Sequence, residues 1–230
     1  MRRPEAVPAD AGAARRRPVH EAVALAAAIS HDLQAPITRL RLRADLIADR
    51  GLREHIVADL ERVAAMLQEQ LDYVRSGHLR EAPVPLDLAA LVESVAEGLL
   101  DLGHRVEVQG SLRGRYRGAL RALERVLQNL AVNAVVHGGG AAVMRMSEDD
   151  AAACILVLDE GPGIPPAMLE QVFEPFYRLE EARSGGGSGL GLAIARNLAR
   201  AHGGEIRLSN RPGGGLQARL TVPQSRGRSA

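Results

Sequence analysis

The sequence predicts an α+β protein in which a long helical hairpin precedes an α/β domain. Three observations carry that expectation. Apolar residues recur at helical spacing from Ile29 to Ile47 and again from Leu52 to Val74. Beyond Pro83 and Pro85 the chain alternates helical with strand-like patterns. It closes on two strand-like runs, EIRLSN and LQARLTV, separated by the turn-forming stretch RPGGG.

In the first pattern Ile29, Leu33, Ile37, Leu40 and Ile47 form one stripe, and Leu52, Ile56, Leu60, Val63, Leu67, Leu71 and Val74 form a second. Asp49-Arg50-Gly51 reads as the tight connection between two antiparallel helices. Each helix would hold about 30 residues and extend roughly 45 Å. A lone hairpin leaves half its apolar stripe in water, so two copies closing a four-helix bundle are expected, with residues 19–80 as the homodimer interface. Residues 1–18 read as a flexible leader and 81–85 as a linker. Residues 86–224 form the second domain, with helices at 87–102, 118–136 and 188–201 and strands at 105–110, 141–147, 153–159, 205–210 and 216–222. The tail 225–230 is expected to be disordered.

Composition narrows the function. Of 230 residues, 46% are hydrophobic, so a core is affordable, yet only 2% are aromatic, so Leu, Val, Ile and Ala must build it. A formal net charge of +1 and few stacking rings argue against nucleic acid as a partner. The sequence contains no lysine, so a bound phosphate must meet guanidinium or backbone N–H groups. The single cysteine, Cys154, excludes an internal disulfide and lies in the apolar run AACILVL, where a small buried hydrophobe is expected. No run approaches the ~20 apolar residues that span a bilayer, and residues 1–18 lack the apolar centre of a signal peptide. No membrane contact by this chain and a cytoplasmic location are the expectation, which leaves room for a membrane-bound parent protein.

The stretch SHDLQAP places His31 beside Asp32 and Pro36 a turn later. At about 100° per residue, His31 is turned roughly 200° from both Ile29 and Leu33, away from the apolar stripe. A neutral imidazole there is a competent nucleophile, and an acid bonded to one ring nitrogen leaves the other free to attack. The same position suits an ordinary solvated histidine, and seven residues do not separate the two readings.

Three later stretches concern phosphate chemistry. In RVLQNLAVNAVVHG, Asn129 and Asn133 are spaced i, i+4, so their amides share a helix face and suit a Mg²⁺ ion that keeps its waters and nucleotide phosphates. In LDEGPGIP, Asp159 ends a buried strand at a place where a carboxylate can accept from an exocyclic amine, and Gly161 and Gly163 allow close backbone approach. In SGGGSGLGLAIARNLA, glycines lead into a helix whose N–H groups and positive end suit phosphate. Each stretch also has a plain reading: a wet helix face, a turn, a flexible loop.

Taken in order, these motifs resemble the kinase core of a two-component sensor histidine kinase over about residues 20–223. SHDLQAP resembles the H-box, RVLQNLAVNA the N-box, DEGPGIP the G1 box, VFEPFYR the F-box and GGSGLGLAI the G2 box. The asparagine and glycine boxes are shared with heat-shock chaperones, type II topoisomerases and mismatch-repair proteins; the H-box and F-box narrow the resemblance to histidine kinases.

The resemblance implies a dimerisation and phosphotransfer hairpin joined to an α/β-sandwich ATP-binding domain of the histidine-kinase and heat-shock-ATPase type. It implies His31 as phosphoacceptor with Asp32 its neighbouring acid, and Asn129 and Asn133 as Mg²⁺ ligands beside ATP. Asp159 would recognise adenine in a pocket shaped by Gly161 and Gly163. Gly187, Gly189, Leu190 and Gly191 would lie at the phosphates and the hinge of a lid. Phe173 and Phe176 would pack that lid beside ATP, and Arg178 of the F-box would be an ATP-binding residue that meets phosphate. The implied activity is autophosphorylation of His31 by ATP and transfer to an aspartate in a response-regulator receiver domain.

Three departures stand beside that pattern. Ala35 occupies the place where relatives with phosphatase activity carry Thr or Asn, which argues against that activity. Val136 stands where a phosphate-binding Lys or Arg is frequent. No sensor segment precedes the hairpin, which suits an excised core or a kinase switched by a partner. The alternative function is an ATP-binding pseudokinase dimer that acts as a regulatory module.

Overall fold

The computed structural model describes residues 33–76, 81–179 and 188–224. The chain divides into two compact units, Met1–Arg75 and Ser76–Ala230. Of the sequence expectations, His31, Asp32 and Gly187 lie outside the described residues, as do the leader and the tail.

In the first unit, helix α1 is described over residues 33–44 and runs through Pro36 without a break. Helix α2 spans Arg50–Ser76. The connection therefore lies at 45–49 rather than at Asp49-Arg50-Gly51, and Ile47, expected in the helical stripe, falls within it. The reason is a cap. The Asp49 carboxylate Oδ1 accepts the Leu52 N–H at 3.0 Å, which starts α2 at Arg50 and satisfies one of its orphan donors. Within the unit Arg41 pairs with Glu61 at 3.2 Å. Among the described residues of this unit only Ala44 is buried, whereas Leu33, Leu40, Leu52 and Val63 of the two stripes stay 39–52% exposed. Four large apolar side chains on one short unit mark a face that a second surface would cover.

The second unit has a five-stranded sheet with helices on one face. Its strands are β2 (Arg105–Gly110), β4 (Ala141–Glu148), β5 (Ala152–Leu158), β6 (Glu205–Asn210) and β7 (Leu216–Pro223), in the order β2-β4-β5-β7-β6. Only β2 and β4 pair in parallel. Helices α3 (Leu88–Asp101), α4 (Leu120–His137) and α5 (Gly191–Ala201) cover the inner face. Alternation along the strands explains the layering. Met144 and Met146, Ile155 and Val157, and Leu220 and Val222 point into the core with at most 4% exposure. Arg145, Leu156 and Arg219 lie in register on the opposite face. Each fully buried Leu or Ile contributes about 1.5–3 kcal/mol, and Leu220→Ala would remove about 2–5 kcal/mol once its cavity is included.

Three local features depart from the sequence reading. Val84 and Pro85, read as linker, belong to a short strand β1 (Val84–Leu86) that pairs antiparallel with β3 (Tyr116–Gly118). That pairing delays the start of α4 to Leu120 and anchors its N-terminus. Cys154 is half-buried on the open sheet face, where its Sγ accepts the Arg219 Nε–H at 3.2 Å, so it is not a core hydrophobe. Helix α5 begins at Gly191, three residues later than expected, after the Ser188 hydroxyl has accepted the Leu190 N–H at 3.2 Å. Helix α3 starts as the sequence suggests, with Asp87 accepting the Ala90 N–H at 3.0 Å.

Candidate functional site

Asp159 follows the last residue of the central strand β5 and is 5% exposed, the one buried polar or charged residue among those described. Burying a carboxylate demands partners. Its Oδ1 accepts the N–H groups of Gly161 at 2.9 Å and Leu216 at 3.0 Å. Its own N–H donates to the Leu216 carbonyl at 3.0 Å, and the Arg211 guanidinium donates to its carbonyl oxygen. None of these bonds uses Oδ2, which is left to accept from a donor such as an exocyclic amine.

The backbone closes tightly around this acid. A Cβ on Gly138, just past the end of α4, would stand 2.4 Å from the Asp159 Cβ and 2.3 Å from the Ala134 carbonyl oxygen. A Cβ on Gly215 would stand 2.1 Å from the Asp159 carbonyl oxygen, and Gly215 has φ +92°. Only glycine fits either place. Gly161 serves the same internal end, since its Cβ would meet the His137 carbonyl oxygen at 2.4 Å. Beyond it, the Asn210 amide bonds both the N–H and the carbonyl of Ile164, at 2.9 and 2.7 Å, and fixes the loop after Gly163.

Asn129 and Asn133 lie one turn apart on α4, both half-buried. The Asn129 Nδ2 is buried without a hydrogen-bond partner. An orphaned buried amide is unusual and points to a ligand that completes it, because the group can turn either its N–H or its oxygen inward. A Cβ on Gly191, the first residue of α5, would lie 3.9 Å from Asn129 Oδ1. The α5 N-terminus, with its positive end, therefore meets the N-box amide. No group of three or more His, Cys, Asp or Glu side chains that could hold a metal occurs among the described residues. Two neutral amides suit a cation that arrives with a ligand supplying most of its oxygens.

The F-box aromatics part company. Phe173 is 3% exposed and lies under the Arg196 guanidinium of α5. Phe176, expected to pack as well, is 60% exposed and adopts φ +65°. Its N–H donates to the Gly189 carbonyl at 3.1 Å, and Gly189, at φ +76°, leaves no room for a Cβ beside Tyr177 and Phe176. The Arg178 side chain packs against the same glycine. Leu190 sends its side chain wholly into the core, so it can offer a ligand only backbone.

The sequence reading missed Gly138, Arg211, Gly215 and Leu216, which hold Asp159 in place. The GGG of RPGGGL signalled a turn, but not that the turn folds back 57 residues to reach the acid.

A buried carboxylate at the end of a central strand, an incomplete amide on a facing helix and a glycine-led helix N-terminus thus lie together in the second unit. Residues 118–226 match the family described as histidine kinase-, DNA gyrase B-, and HSP90-like ATPase. The chain is 44% identical over 210 residues to the sensor histidine kinase GtrS of Pseudomonas aeruginosa, covering 90% of this chain and 43% of that protein. It superposes on full-length ShkA in complex with AMPPNP with a TM-score of 0.74 at 24% identity, covering 87% of this chain and 46% of that one. It also matches the ATP-binding domain of PrrB from Mycobacterium tuberculosis, with a TM-score of 0.54 at 28% identity over 63% of this chain and 99% of that one. The chain thus carries an ATPase domain of the histidine kinase-, DNA gyrase B-, and HSP90-like type and is similar over nine-tenths of its length to a sensor histidine kinase. It spans less than half the length of the curated relative GtrS. Among the described residues no helix is long and apolar enough to cross a membrane.

Proposed function

We propose that this chain is the ATP-dependent kinase core of a two-component system, which autophosphorylates His31 and passes the phosphoryl group to a response-regulator aspartate. The observation that carries the reading is the pairing of Asp159, its Oδ2 unused, with the orphaned Asn129 amide beside the start of α5. Asp159 accepts from the adenine amine, and the α5 N-terminus faces the phosphates. Asn129 and Asn133 are the residues that would hold Mg²⁺, which when bound neutralises phosphate charge. An imidazole nitrogen of His31 forms a bond to the γ-phosphorus as the bond to the ADP oxygen breaks, and Asp32 orients the ring. The catalytic contribution is positioning and electrostatics. The exposed Leu33, Leu40, Leu52 and Val63 support a homodimer through residues 19–80. A cytoplasmic location goes with the kinase reading.

Val136, 51% exposed on α4 where a cation would serve phosphate, favours a second reading as an ATP-binding pseudokinase. Incubation with γ-labelled Mg-ATP separates the two. Acid-labile, alkali-stable label that disappears in His31→Ala establishes the kinase. Nucleotide binding without label supports the pseudokinase. Asn133→Ala is expected to weaken Mg-ATP binding, and unchanged affinity would remove it from the site.

A further inference from the structure

His202, just past the end of α5, joins two helices through one ring. Its Nδ1 lies 2.7 Å from the Leu198 carbonyl oxygen, and its Nε2 lies 3.1 Å from the Ala119 backbone nitrogen. A carbonyl only accepts and a backbone N–H only donates, so the two bonds together require the neutral Nδ1–H tautomer. Each bond satisfies a group that the helix ends leave over. Leu198 is in the last turn of α5, where carbonyls lack intrahelical donors. Ala119 is the N-cap of α4 and has no side chain to cap with. In a capping box a Glu or Gln three residues on returns to bond the N-cap N–H. Here a histidine from another helix takes that part.

The placement gives the clamp leverage. Helices α4 and α5 pack together with the start of one beside the end of the other, so His202 closes one end of the pair. At the other end Gly191 meets Asn129, ten residues or about 15 Å along α4 from Ala119. The ring also lies against the segment before α4: a Cβ on Gly118 would stand 3.5 Å from its Cδ2, an ordinary van der Waals distance.

We propose that His202 is a positioning residue for the nucleotide site: by bonding the N-terminus of α4 to the C-terminus of α5, it sets the spacing of Asn129 from the start of α5. The proposal rests on the nucleotide reading above. A displacement of an ångström carries a hydrogen bond out of its usual range of about 2.7–3.2 Å, which is enough to weaken ligand binding measurably.

Titration calorimetry with Mg-AMPPNP on the whole chain tests it, at a temperature where circular dichroism shows each variant folded. His202→Ala is expected to weaken binding about tenfold. His202→Gln, whose Oε1 can accept the Ala119 N–H, is expected to return to within about threefold of the unaltered chain, and His202→Asn, too short to reach Ala119, to resemble the alanine variant. Imidazole ¹⁵N shifts in the unaltered chain should show the Nδ1–H tautomer. If His202→Ala does not fold, the contrast of Gln with Asn decides. Unweakened binding in His202→Ala or His202→Asn with only a lower melting temperature, or a Gln variant no better than Asn, overturns the proposal. Failure of the unaltered chain to bind Mg-AMPPNP strikes instead at the nucleotide reading itself.

Discussion

Arg196 holds its guanidinium over the ring of Phe173, 4.1 Å from the centroid, while it donates to the Glu170 carboxylate. With a side chain only 15% exposed, it fastens the F-box turn to α5 in a partly dry setting, where a cation over a ring contributes more than at an open surface. Arg196→Ala should lose about 1–2 kcal/mol and melt about 3–8 °C lower. Arg196→Lys keeps the charge but not the flat stacking surface, so it should recover less than half of that loss. Thermal denaturation followed by circular dichroism checks both, and a lysine variant as stable as the unaltered chain would show that charge alone suffices.

Asp159→Asn separates holding the loop from holding the ligand. The amide oxygen can still accept from Gly161 and Leu216, so the fold should survive with a small loss of stability. The other oxygen becomes an NH₂ group that meets an exocyclic amine donor to donor. ATP affinity should fall about a hundredfold or more, read by calorimetry. Asp159→Ala instead leaves two N–H groups without a partner and should lose about 2–4 kcal/mol of stability as well.

Two neighbouring glycines should behave differently. Gly138→Ala places a methyl 2.4 Å from the Asp159 Cβ, a clash with fixed neighbours that should lose about 1–3 kcal/mol and disturb nucleotide binding. Gly139, at φ +81°, has nothing within 4 Å of an added Cβ, so Gly139→Ala should carry only the backbone strain, about 1 kcal/mol, with binding intact. Denaturant melts and ATP titrations of the two variants provide the comparison.

Stability in acid should report on Glu148. The Tyr116 hydroxyl donates to it at 2.6 Å, and the N–H groups of Arg113 and Gly114 donate at 2.7 and 2.9 Å. Those bonds, the phenol's first, hold the Glu148 carboxyl below its ordinary value of 4.5. Burial and then Glu148 push the Tyr116 phenol up, so it remains a donor. A carboxylate with a lowered folded pKa stabilises the protein above its unfolded pKa, and that contribution is lost as pH falls through the folded value. The melting-temperature gap between the unaltered chain and Glu148→Gln should therefore be constant from about pH 8 to 5 and shrink below about 4.5. A gap independent of pH would mean that the lost bonds do not depend on the charge.

The strands were the most legible part of the chain. EIRLSN and RVEVQG occupy the spans read from their alternation, because a face that is buried on one side fixes register. Helix starts were harder. Asp49 reads as the first residue of a tight turn and is instead the cap of α2, because the same side chain chemistry serves both. The short β1–β3 pair left no pattern in three residues. At the site, Asp159, Asn129 and Gly191 stood out because their neighbours in sequence share the motif. Arg211, Gly215, Leu216 and His202 did not, since each acts on a partner distant in sequence and only the folded chain brings them together.

The strand order has a consequence for synthesis. Strand β5 lies at the centre of the sheet, yet one of its two neighbours is β7, and Leu216 follows Asp159 by 57 residues. At about 5–20 residues per second, a ribosome needs several seconds to travel from one to the other. Throughout that interval the nascent chain carries an apolar strand with a bare edge, ending in a carboxylate that has the nearby Gly161 N–H but still lacks its Leu216 partner. The β6–β7 hairpin thus covers the edge and completes the acid in one event, and a chain released before Leu216 would expose both faults together.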